Sequence, residues 1–361
     1  MGEIYYRISK DLLNELACKT YEAYGLDKDD ARVLCEALIK SDMRGVKSHG
    51  LVRTPDYIKW IGDGTWAKKT EPEIIVDAPA VTVIDGHNGL GPVLASKAID
   101  IAVEKAKKYG IAISTVRNSN HFGETGLWST RIVETGKNMI GFAATSTIAV
   151  CASPDSKAAV VGSNPYSYAA PAGSYAPICL DVACGAMAAG KIFAYRRANE
   201  PLPEKAFIGP DGNYVTDPFK YDITEYIMAP FAGHKGFGMA VIMEAMTSFL
   251  SGGHFQGYHY QPGEKQEKSS QTFMAINISS FIDPEEYKHK VDQYIDYIHA
   301  QPTRTPGGIV LYPGEIEGTK QSEAEQNGVC IAKGIFEDIA KLAAEKGIQV
   351  DGYRKYEEYE E

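Results

Sequence analysis

Two histidines lie in sequence surroundings that could support proton transfer to a bound anion. The first, His49, stands between Ser48 and Gly50, and Arg53 follows four residues later. A guanidinium grips a carboxylate through two parallel hydrogen bonds, while a neighbouring imidazole exchanges protons near neutral pH. This combination predicts a site for a hydroxy acid. The alternative is a buried histidine bonded to the backbone, with Arg53 in a surface ion pair.

The second histidine, His121, stands in the run RNSNHFG at residues 117–123, just beyond a predicted strand. Functional side chains are common where strands end, and small polar residues followed by glycine suit a loop beside a ligand. The alternative is an ordinary loop that leaves a strand. Five further histidines lack convergent partners and are predicted to be structural: His87, His254, His259, His289 and His299.

A glycine-rich run, GHKGFG at residues 233–238, combines features that suit a bound phosphate. Glycines expose backbone N–H groups at the start of a predicted helix, and Lys235 adds a positive charge. The alternative is a glycine-rich turn with a surface lysine. Neither this run nor GLGPVL at residues 89–94 satisfies the Rossmann fingerprint, because each fails at the third glycine position. No serine-hydrolase GxSxG motif occurs and no metal site is indicated.

The composition limits the kinds of partner. A net charge of -10 over 361 residues argues against binding to nucleic acid or anionic lipid, which calls for clustered Lys and Arg. Six cysteines without CxxC spacing indicate a reducing compartment. The sequence shows no signal peptide and no apolar run of transmembrane length. We therefore expect a cytoplasmic protein that acts on a small molecule and binds no membrane.

The elements that position these residues follow from hydrophobic periodicity. Two helices are predicted over residues 9–25 and 27–44, and the His49 loop then leads into a further helix at Thr54 and Pro55. From residue 80 the pattern indicates a βαβ-like unit and a mixed sheet. The predicted strands are 81–84, 111–116, 139–144, 178–182, 273–278 and 309–312, and the predicted helices are 92–108 and 239–250.

Three polar segments are predicted to lie at the surface. Residues 199–223 and 252–270 are rich in Gly, Pro, Lys or Gln, which is typical of surface excursions. Residues 353–361 are predicted to form a solvated charged tail.

Several motifs, taken together and in order, resemble the malate/L-lactate dehydrogenase family of the second type. That family also includes sulfolactate, ureidoglycolate and diketogulonate enzymes. The similarity covers nearly the whole chain. The motifs are DMRGVKSHG at 42–50 followed by Arg53, NSNHFG at 118–123, GSNP at 162–165, DVA at 181–183, GK at 190–191 and KG at 235–236.

The resemblance implies an α/β fold with a mixed-sheet, non-Rossmann cofactor-binding lobe similar to sulfolactate dehydrogenase. A mainly helical lobe would come from residues 1–75 together with 305–361, and the α/β cofactor and substrate lobe from residues 76–304. The resemblance also implies a homodimer, with the active site near the subunit boundary. The cofactor would be NAD or NADP, and the choice between them stays open.

The resemblance also assigns roles to individual residues. It matches His49 to a proposed acid/base catalyst and Asp181 to a carboxylate that orients it. It matches His121 to a histidine that is catalytic in some relatives. Substrate contacts are implied for Ser48, Arg53 and Tyr57, with Arg53 on the carboxylate. Cofactor contacts are implied for Asn164, Asp181, Val182, Ala183, His234, Lys235, Gly236, Gly314, Glu315 and Ile316.

The implied reaction is the interconversion of a 2-oxo acid and its 2-hydroxy acid by hydride transfer, of the malate/oxaloacetate or lactate/pyruvate type. Two alternatives stay open: a cyclic-imine (ketimine) reductase of the same family, and a non-catalytic small-anion binding protein. Whether His49 or His121 moves the proton also stays open. The runs TST at 145–147 and PDS at 154–156 depart from the family pattern, so contacts from that loop need not transfer.

Overall fold

The computed structural model describes residues 4–255 and 269–360. It contains helices and strands throughout this range. In chain order they are β1 (Ile4–Ile8), α1 (Lys10–Ala23), α2 (Lys28–Met43), α3 (Thr54–Gly62), β2 (Glu73–Ala78), β3 (Val81–Asp85), α4 (Gly91–Tyr109), β4 (Ile111–Ser119), α5 (Thr125–Gly136), β5 (Met139–Thr145), β6 (Ala149–Ala152), β7 (Ala159–Gly162), β8 (Tyr166–Ala170), β9 (Ile178–Val182), α6 (Lys191–Ala198), β10 (Phe207–Ile208), β11 (Ile227–Met228), α7 (His234–Glu244), β12 (Ser269–Asn277), α8 (Pro284–His299), α9 (Glu315–Asn327), β13 (Val329–Ala332), α10 (Lys333–Glu345) and β14 (Tyr356–Glu360).

The main sheet has seven strands, and His121 follows one of them, β4. Its strand order is β2-β3-β4-β12-β5-β8-β9. The predicted mixed sheet is confirmed, because β3 and β4 pair in parallel whereas the other neighbouring pairs are antiparallel. Helices α4 and α5 cover the sheet with small and aromatic side chains, among them Ala98, Ala102 and Trp128. The sheet is therefore not the parallel, doubly wound sheet of a Rossmann fold.

The N-terminal helices share one hydrophobic core with the C-terminal segment. Leu13 of α1, Leu34 of α2 and Ile58 of α3 pack in one cluster with Phe336 and Ile339 of α10. A small sheet with the order β13-β1-β14 joins the two ends of the chain. The α/β fold with an added helical part is confirmed, while the proposed boundaries near residues 75 and 305 stay a prediction.

Local signals explain the helix that precedes the His49 loop. The side chain of Asp27 accepts hydrogen bonds from the N–H groups of Asp29 and Asp30, and it thereby caps α2. The helix ends near Arg44, as predicted, and the chain then forms two short 3-10 turns, Lys47–His49 and Leu51–Arg53. Proline in the first turn of α3 agrees with the predicted start at residue 54.

Several predictions of local structure were wrong. The tail is not merely solvated, because β14 pairs with β1 along its whole length. Residues 309–312 form no strand; instead the Glu315 carboxylate accepts a hydrogen bond from the N–H of Tyr312. The segment 199–223 buries a small apolar cluster that includes Leu202 and Phe207. The helix predicted at 239–250 begins earlier, at His234, and ends in a π-helical turn over Ala245–Phe249.

All six cysteines are free thiols. Across residues 4–255 and 269–360, no helix combines the length and the apolar character that a membrane span requires. The predictions for His259 and for most of the segment 252–270 lie outside the described residues.

Candidate active site

The two predicted histidines lie side by side. The ring centroids of His49 and His121 are 5.5 Å apart and their planes differ by 16°. Both side chains line one cavity of about 340 Å³, together with Arg53 and Asp181. The structure therefore brings together all four residues that the sequence suggested for catalysis, although they come from segments as far apart as α2–α3 and β9.

Hydroxyl groups hold both imidazoles. The Nδ1 atom of His49 lies 2.9 Å from the Ser48 hydroxyl, and the Nδ1 atom of His121 lies 2.5 Å from the Tyr57 hydroxyl. Tyr57 is completely buried beneath His121 and does not line the cavity. Its position therefore favours support of His121 over the substrate contact that was expected.

The cavity holds both imidazoles in their neutral forms. Burial, followed by the charge of Arg53, lowers the pKa of His49 to about 4. Burial also lowers the pKa of His121 to about 3, with further contributions from His49 and Arg53. Each ring has its Nδ1 atom engaged by a hydroxyl, so each can offer its Nε2 atom to a ligand.

Arg53 is a partly exposed cation on the cavity wall. Its Nε atom donates to the backbone carbonyl of Ser48 at 2.8 Å, and its Nη1 atom lies 4.0 Å from Asp56. The side chain is about one-third exposed, and the distant aspartate is a weak partner in water. The guanidinium therefore retains donors for an anionic ligand.

Carboxylates form the far side of the cavity. The Asp181 Oδ2 atom accepts the backbone N–H of Gly126 at 2.7 Å. Its outer edge stays open to the cavity, but burial among protein atoms and the nearby Glu124 raise its pKa to about 7. Asp181 was expected to orient His49, but the Nδ1 atom of His49 is bonded to the Ser48 hydroxyl instead.

A buried ion pair lies next to Asp181. Arg44 donates from Nε to Glu124 at 2.8 Å, and both side chains are almost completely buried. Glu124 lines the main cavity and also an adjoining cavity of about 440 Å³, which shares Val46 and Asp181 with it. Neither ion-pair residue was predicted from the sequence, although Arg44 stands inside the motif that contains His49. A charged residue at the end of an apolar helix stripe was the available signal.

The residues expected to contact a cofactor fall into separate groups. Asp181 and Ala183 line the main cavity, whereas Val182 between them packs into an apolar cluster on the other face of β9. Gly314 and Ile316 line the adjoining cavity. The Glu315 carboxylate instead binds His299 at 2.9 Å, outside both linings.

Asn164 lies behind the cavity wall. Its Oδ1 atom accepts the N–H of Thr147 at 3.0 Å, and its Nδ2 atom donates to Glu244 and to the carbonyl of Ala240. These bonds occupy both the oxygen and the nitrogen of the amide. Asn164 therefore holds the backbone of Thr147, which lines the cavity, and does not line the cavity itself. Thr147 itself lines the cavity, where its hydroxyl lies 3.3 Å from that of Ser163.

The predicted phosphate-binding run begins α7. His234 and Lys235 are exposed in the first helical turn, outside both cavities. Gly236 has a packing role, because a Cβ atom there would lie 2.4 Å from the carbonyl of Phe231. The turn before α7 pairs with Gly185, which lines the main cavity. The run therefore lies close to the cavity without forming its wall.

Metal chemistry has no ligand cluster in the described part of the chain. Within the described ranges 4–255 and 269–360, no group of three His, Cys, Asp or Glu side chains is placed to bind a metal ion.

The chain thus combines a mixed-sheet α/β fold with a cavity in which an arginine lies beside two neutral imidazoles. The family model described as malate/L-lactate dehydrogenase matches residues 8–340. The chain belongs to the malate/L-lactate dehydrogenase family. It is therefore an oxidoreductase that acts on CH–OH groups, and the alternative of a non-catalytic anion-binding protein is wrong.

Individual relatives agree with this assignment. The chain is 32% identical to an L-sulfolactate dehydrogenase of Methanocaldococcus jannaschii, with 94% of this chain and 97% of the relative covered. The solved sulfolactate dehydrogenase structure from that organism superposes with a TM-score of 0.86 over 96% of this chain and 99% of the other. A malate dehydrogenase of Pyrococcus horikoshii is 30% identical over 97% of this chain and 98% of the relative. A Delta(1)-pyrroline-2-carboxylate/Delta(1)-piperideine-2-carboxylate reductase of Pseudomonas putida is 26% identical over 91% and 95%.

Proposed function

We propose that the protein interconverts a 2-oxo acid and its 2-hydroxy acid with NAD or NADP, of the malate/oxaloacetate or lactate/pyruvate type. One observation carries the proposal: Arg53, His49 and His121 line the same cavity. Arg53 can therefore bind the carboxylate of a small molecule while an imidazole exchanges a proton with the oxygen on the adjacent carbon. Relatives named as malate and sulfolactate dehydrogenases support this reaction class.

The residues present fit a nicotinamide cofactor. The two adjoining cavities, of about 340 Å³ and about 440 Å³, share Val46, Glu124 and Asp181 in their linings. Gly123 and Gly190 line the main cavity, and a Cβ atom at either position would meet no atom closer than 4.0 Å. Asp181, Ala183, Gly314 and Ile316 would hold the cofactor. When bound, the cofactor supplies or accepts the hydride.

Substrate binding prepares the proton transfer. Arg53 holds the carboxylate of the substrate through its planar fork. The bound anion offsets the positive charge that helps to lower the pKa values of His49 and His121, so both pKa values rise when substrate enters. Reduction of the 2-oxo acid is then accompanied by proton uptake at the site.

Tyr57 favours His121 as the proton donor. Burial keeps the pKa of the Tyr57 hydroxyl above its ordinary range, so the hydroxyl is protonated and donates to Nδ1 of His121. In the resting neutral ring, Nε2 therefore carries the proton and can stabilise an oxygen that gains negative charge. When substrate binding raises the pKa, the ring takes up a second proton and its Nδ1–H donates to the Tyr57 oxygen. The imidazolium then gives its Nε2 proton to the forming alkoxide and becomes neutral, and in the reverse direction the bare Nε2 atom takes the proton from the hydroxy acid.

Within this class, the cavity favours a substrate with one carboxylate and an apolar body. Arg53 is the only Lys or Arg among the described residues that line it, and Met187, Ala188 and Met228 form an apolar part of the wall. A second carboxylate would meet Glu124 or Asp181. We therefore expect pyruvate-type substrates to be preferred over oxaloacetate.

A cyclic-imine reductase is the second candidate function. A cyclic imino acid has one carboxylate and an apolar ring, so it suits the same cavity, and the Pseudomonas putida relative carries that name. The deciding experiment measures NADH and NADPH oxidation with pyruvate, oxaloacetate, longer 2-oxo acids and a cyclic imino acid. The 2-oxo acid proposal requires that kcat/KM for at least one 2-oxo acid exceeds that for the imine. A higher value for the imine reverses the order of the two candidates.

The proposal includes a homodimer. Helix α7 is apolar on several sides, yet Val241 and Ile242 are about half exposed, and Phe249 and Leu250 extend this patch beyond its end. A helix that is apolar all round needs a partner surface, and a second copy of this chain is the partner that the family resemblance implies. Ile242→Glu should shift sedimentation toward the monomer, whereas Phe281→Glu, at a site that is 76% exposed elsewhere, should not. A monomeric wild-type protein would contradict this part.

A further inference from the structure

One buried carboxyl closes the base of the loop that carries His49. Asp42 lies in the last turn of α2, and its Oδ2 atom accepts the backbone N–H of Leu51 at 2.8 Å. The bond spans nine residues of sequence. Asp42 is 5% exposed and Leu51 is completely buried. Because His49 lies inside the closed segment, any shift of this bond moves the imidazole.

The carboxyl also packs directly on the backbone beside His49. A Cβ atom added to Gly50 would lie 2.0 Å from Oδ1 of Asp42. The φ angle of Gly50 is -88°, which any residue adopts, so glycine is needed here for space. The carboxyl and Gly50 thus fit together as one contact, one residue after His49.

The second oxygen of Asp42 has no local explanation. Among the described residues no hydrogen-bond donor reaches the buried Oδ1 atom. Burial raises the pKa of Asp42 to about 7, against the opposing effects of the Leu51 N–H and of Lys47. Behind the carboxyl lies a separate cavity, into which Arg7 of β1, Lys47, and Lys320 and Glu323 of α9 also face. A buried carboxyl with one orphaned oxygen is costly to keep, so it calls for a role.

We propose that Asp42 is a positioning residue for catalysis, whose carboxyl fixes the His49 segment against His121 and the cavity. The proposal rests on the proposed function, since it assumes that His49 and His121 act on one substrate. An ionised carboxylate binds the Leu51 N–H more strongly than a neutral acid does. Ionisation also leaves a charge buried, so the hold on the segment changes across the pH range in which Asp42 titrates, and kcat should show an inflection there.

Two substitutions at Asp42 separate position from charge. Asp42→Ala removes the acceptor and should lower kcat by about 10²-fold, the effect of a displacement of about 1 Å in an active site. Asp42→Asn keeps an acceptor oxygen but cannot ionise, so it should retain more activity and lose the inflection of kcat near pH 7. Unchanged kcat in Asp42→Ala would overturn the proposal. Persistence of the inflection in Asp42→Asn would overturn its pH dependence and place the titration elsewhere, with Asp181 the next candidate.

Helix α2 offers a matched control. Asp30 is also buried, and its Oδ2 atom accepts the backbone N–H of Thr70 at 2.6 Å, far along the helix from His49. Asp30→Ala removes the same kind of bond and should lower stability while kcat stays within about twofold. An equal loss of kcat in both variants would show that Asp42 acts only through stability.

A compensating pair gives an independent test. Gly50→Ala alone forces a methyl group into the Asp42 carboxyl and should impair kcat. In the Asp42→Ala background that space is free, so the double variant should be no worse than Asp42→Ala alone, to within about twofold. If the double variant instead loses kcat by the product of the two single losses, the Asp42 carboxyl and Gly50 do not act through one contact.

A readout without turnover keeps this inference separate from the proposed function. In NMR spectra of the holoenzyme, Asp42→Ala should shift the imidazole resonances of His49 more than those of His299, which lies in a separate contact with Glu315. Unshifted His49 resonances would sink the positioning role even if 2-oxo acids are reduced. Shifted resonances in a protein that reduces no 2-oxo acid would sink the proposed function alone.

Discussion

The His121 and His49 segments meet in one cavity but are held in different ways. His121 follows the interior strand β4, where Gln271 of the central strand β12 donates to the Ser119 hydroxyl at 2.6 Å. The Asn120 side chain donates to the carbonyl of Gly89 at 2.9 Å. Close packing completes the support, because a Cβ atom at Gly91 would lie 2.4 Å from the carbonyl of His121. The backbone of His121 is therefore anchored against the sheet and the start of α4.

The His49 segment has fewer anchors. It consists of short 3-10 turns, Ser48 is exposed, and the Asp42 carboxyl provides the main side-chain bond to its backbone. Arg53 holds the carbonyl of Ser48 and is itself partly exposed. Since local stability follows buried contacts and protected hydrogen bonds, this segment should move more readily than β4. We therefore call the His121 side of the cavity the fixed wall and the His49 side the adjustable wall, which carries Arg53, the cation that we propose to bind substrate.

The largest effect is expected from removing the imidazoles. His121→Asn should lower kcat by roughly 10²–10⁴-fold, because a proton donor on the fixed wall is lost. His49→Asn should cost less if His121 is the donor. Both variants should bind NADH with unchanged affinity in a fluorescence titration. A larger loss in His49→Asn would reverse the assignment of the donor.

The second effect concerns the adjustable wall. Arg53→Lys keeps the charge but loses the planar fork, so kcat/KM for the 2-oxo acid should fall by about 10–100-fold, mainly through KM. Steady-state kinetics measure both parameters. Lys59→Ala, at an exposed position on α3, is the control and should leave both unchanged. A loss confined to kcat would show that Arg53 acts on the transition state and not on capture.

The elements of the fixed wall were largely predictable from the sequence. The strand at 111–116 and the helix at 92–108 have strong local periodicity, and the structure confirms both as β4 and α4. The position of His121 at a strand end followed from the same pattern. Such features depend on neighbours in sequence, and local patterns report them well.

The partners of the site residues were not predictable in the same way. The contacts of Tyr57 with His121, and of Arg44 with Glu124, join residues 64 and 80 positions apart. The charged tail gave no sign that it pairs with β1, because the partner strand lies at the opposite end of the chain. Tertiary packing decides such contacts, and a single sequence carries no local signal for them.

A smaller effect tests how His121 is supported. Tyr57→Phe removes the hydroxyl that binds Nδ1 but keeps the ring against Trp66, 4.5 Å away between centroids. We expect kcat to fall by about tenfold, the value of one net hydrogen bond, with KM nearly unchanged. Tyr21→Phe, at an equally buried tyrosine in the helical core, is the matched control and should retain kcat. Equal kinetics for the two variants would remove Tyr57 from the proton-transfer scheme.

The last effect is on the pH dependence of stability, to which His121 and Asp42 contribute with opposite signs. The pKa of His121 is lowered to about 3, so below pH 6.5 the unfolded chain binds a proton that the folded protein excludes, and stability is lost as the pH falls. The pKa of Asp42 is raised to about 7, so from about pH 4 to pH 7 the folded protein holds the extra proton, and stability is lost as the pH rises.

Urea unfolding at pH 6.5 and pH 5 measures both contributions. His121→Asn should reduce the loss of unfolding free energy on acidification by up to about 2 kcal/mol, whereas Asp42→Asn should increase it. His289→Asn, at an exposed site on α8, should match the wild type. If His121→Asn and Asp42→Asn change the pH dependence of the unfolding free energy in the same direction, the lowered pKa of His121 and the raised pKa of Asp42 cannot both be right. A dependence that is not reduced in His121→Asn would contradict a neutral His121 in the free enzyme.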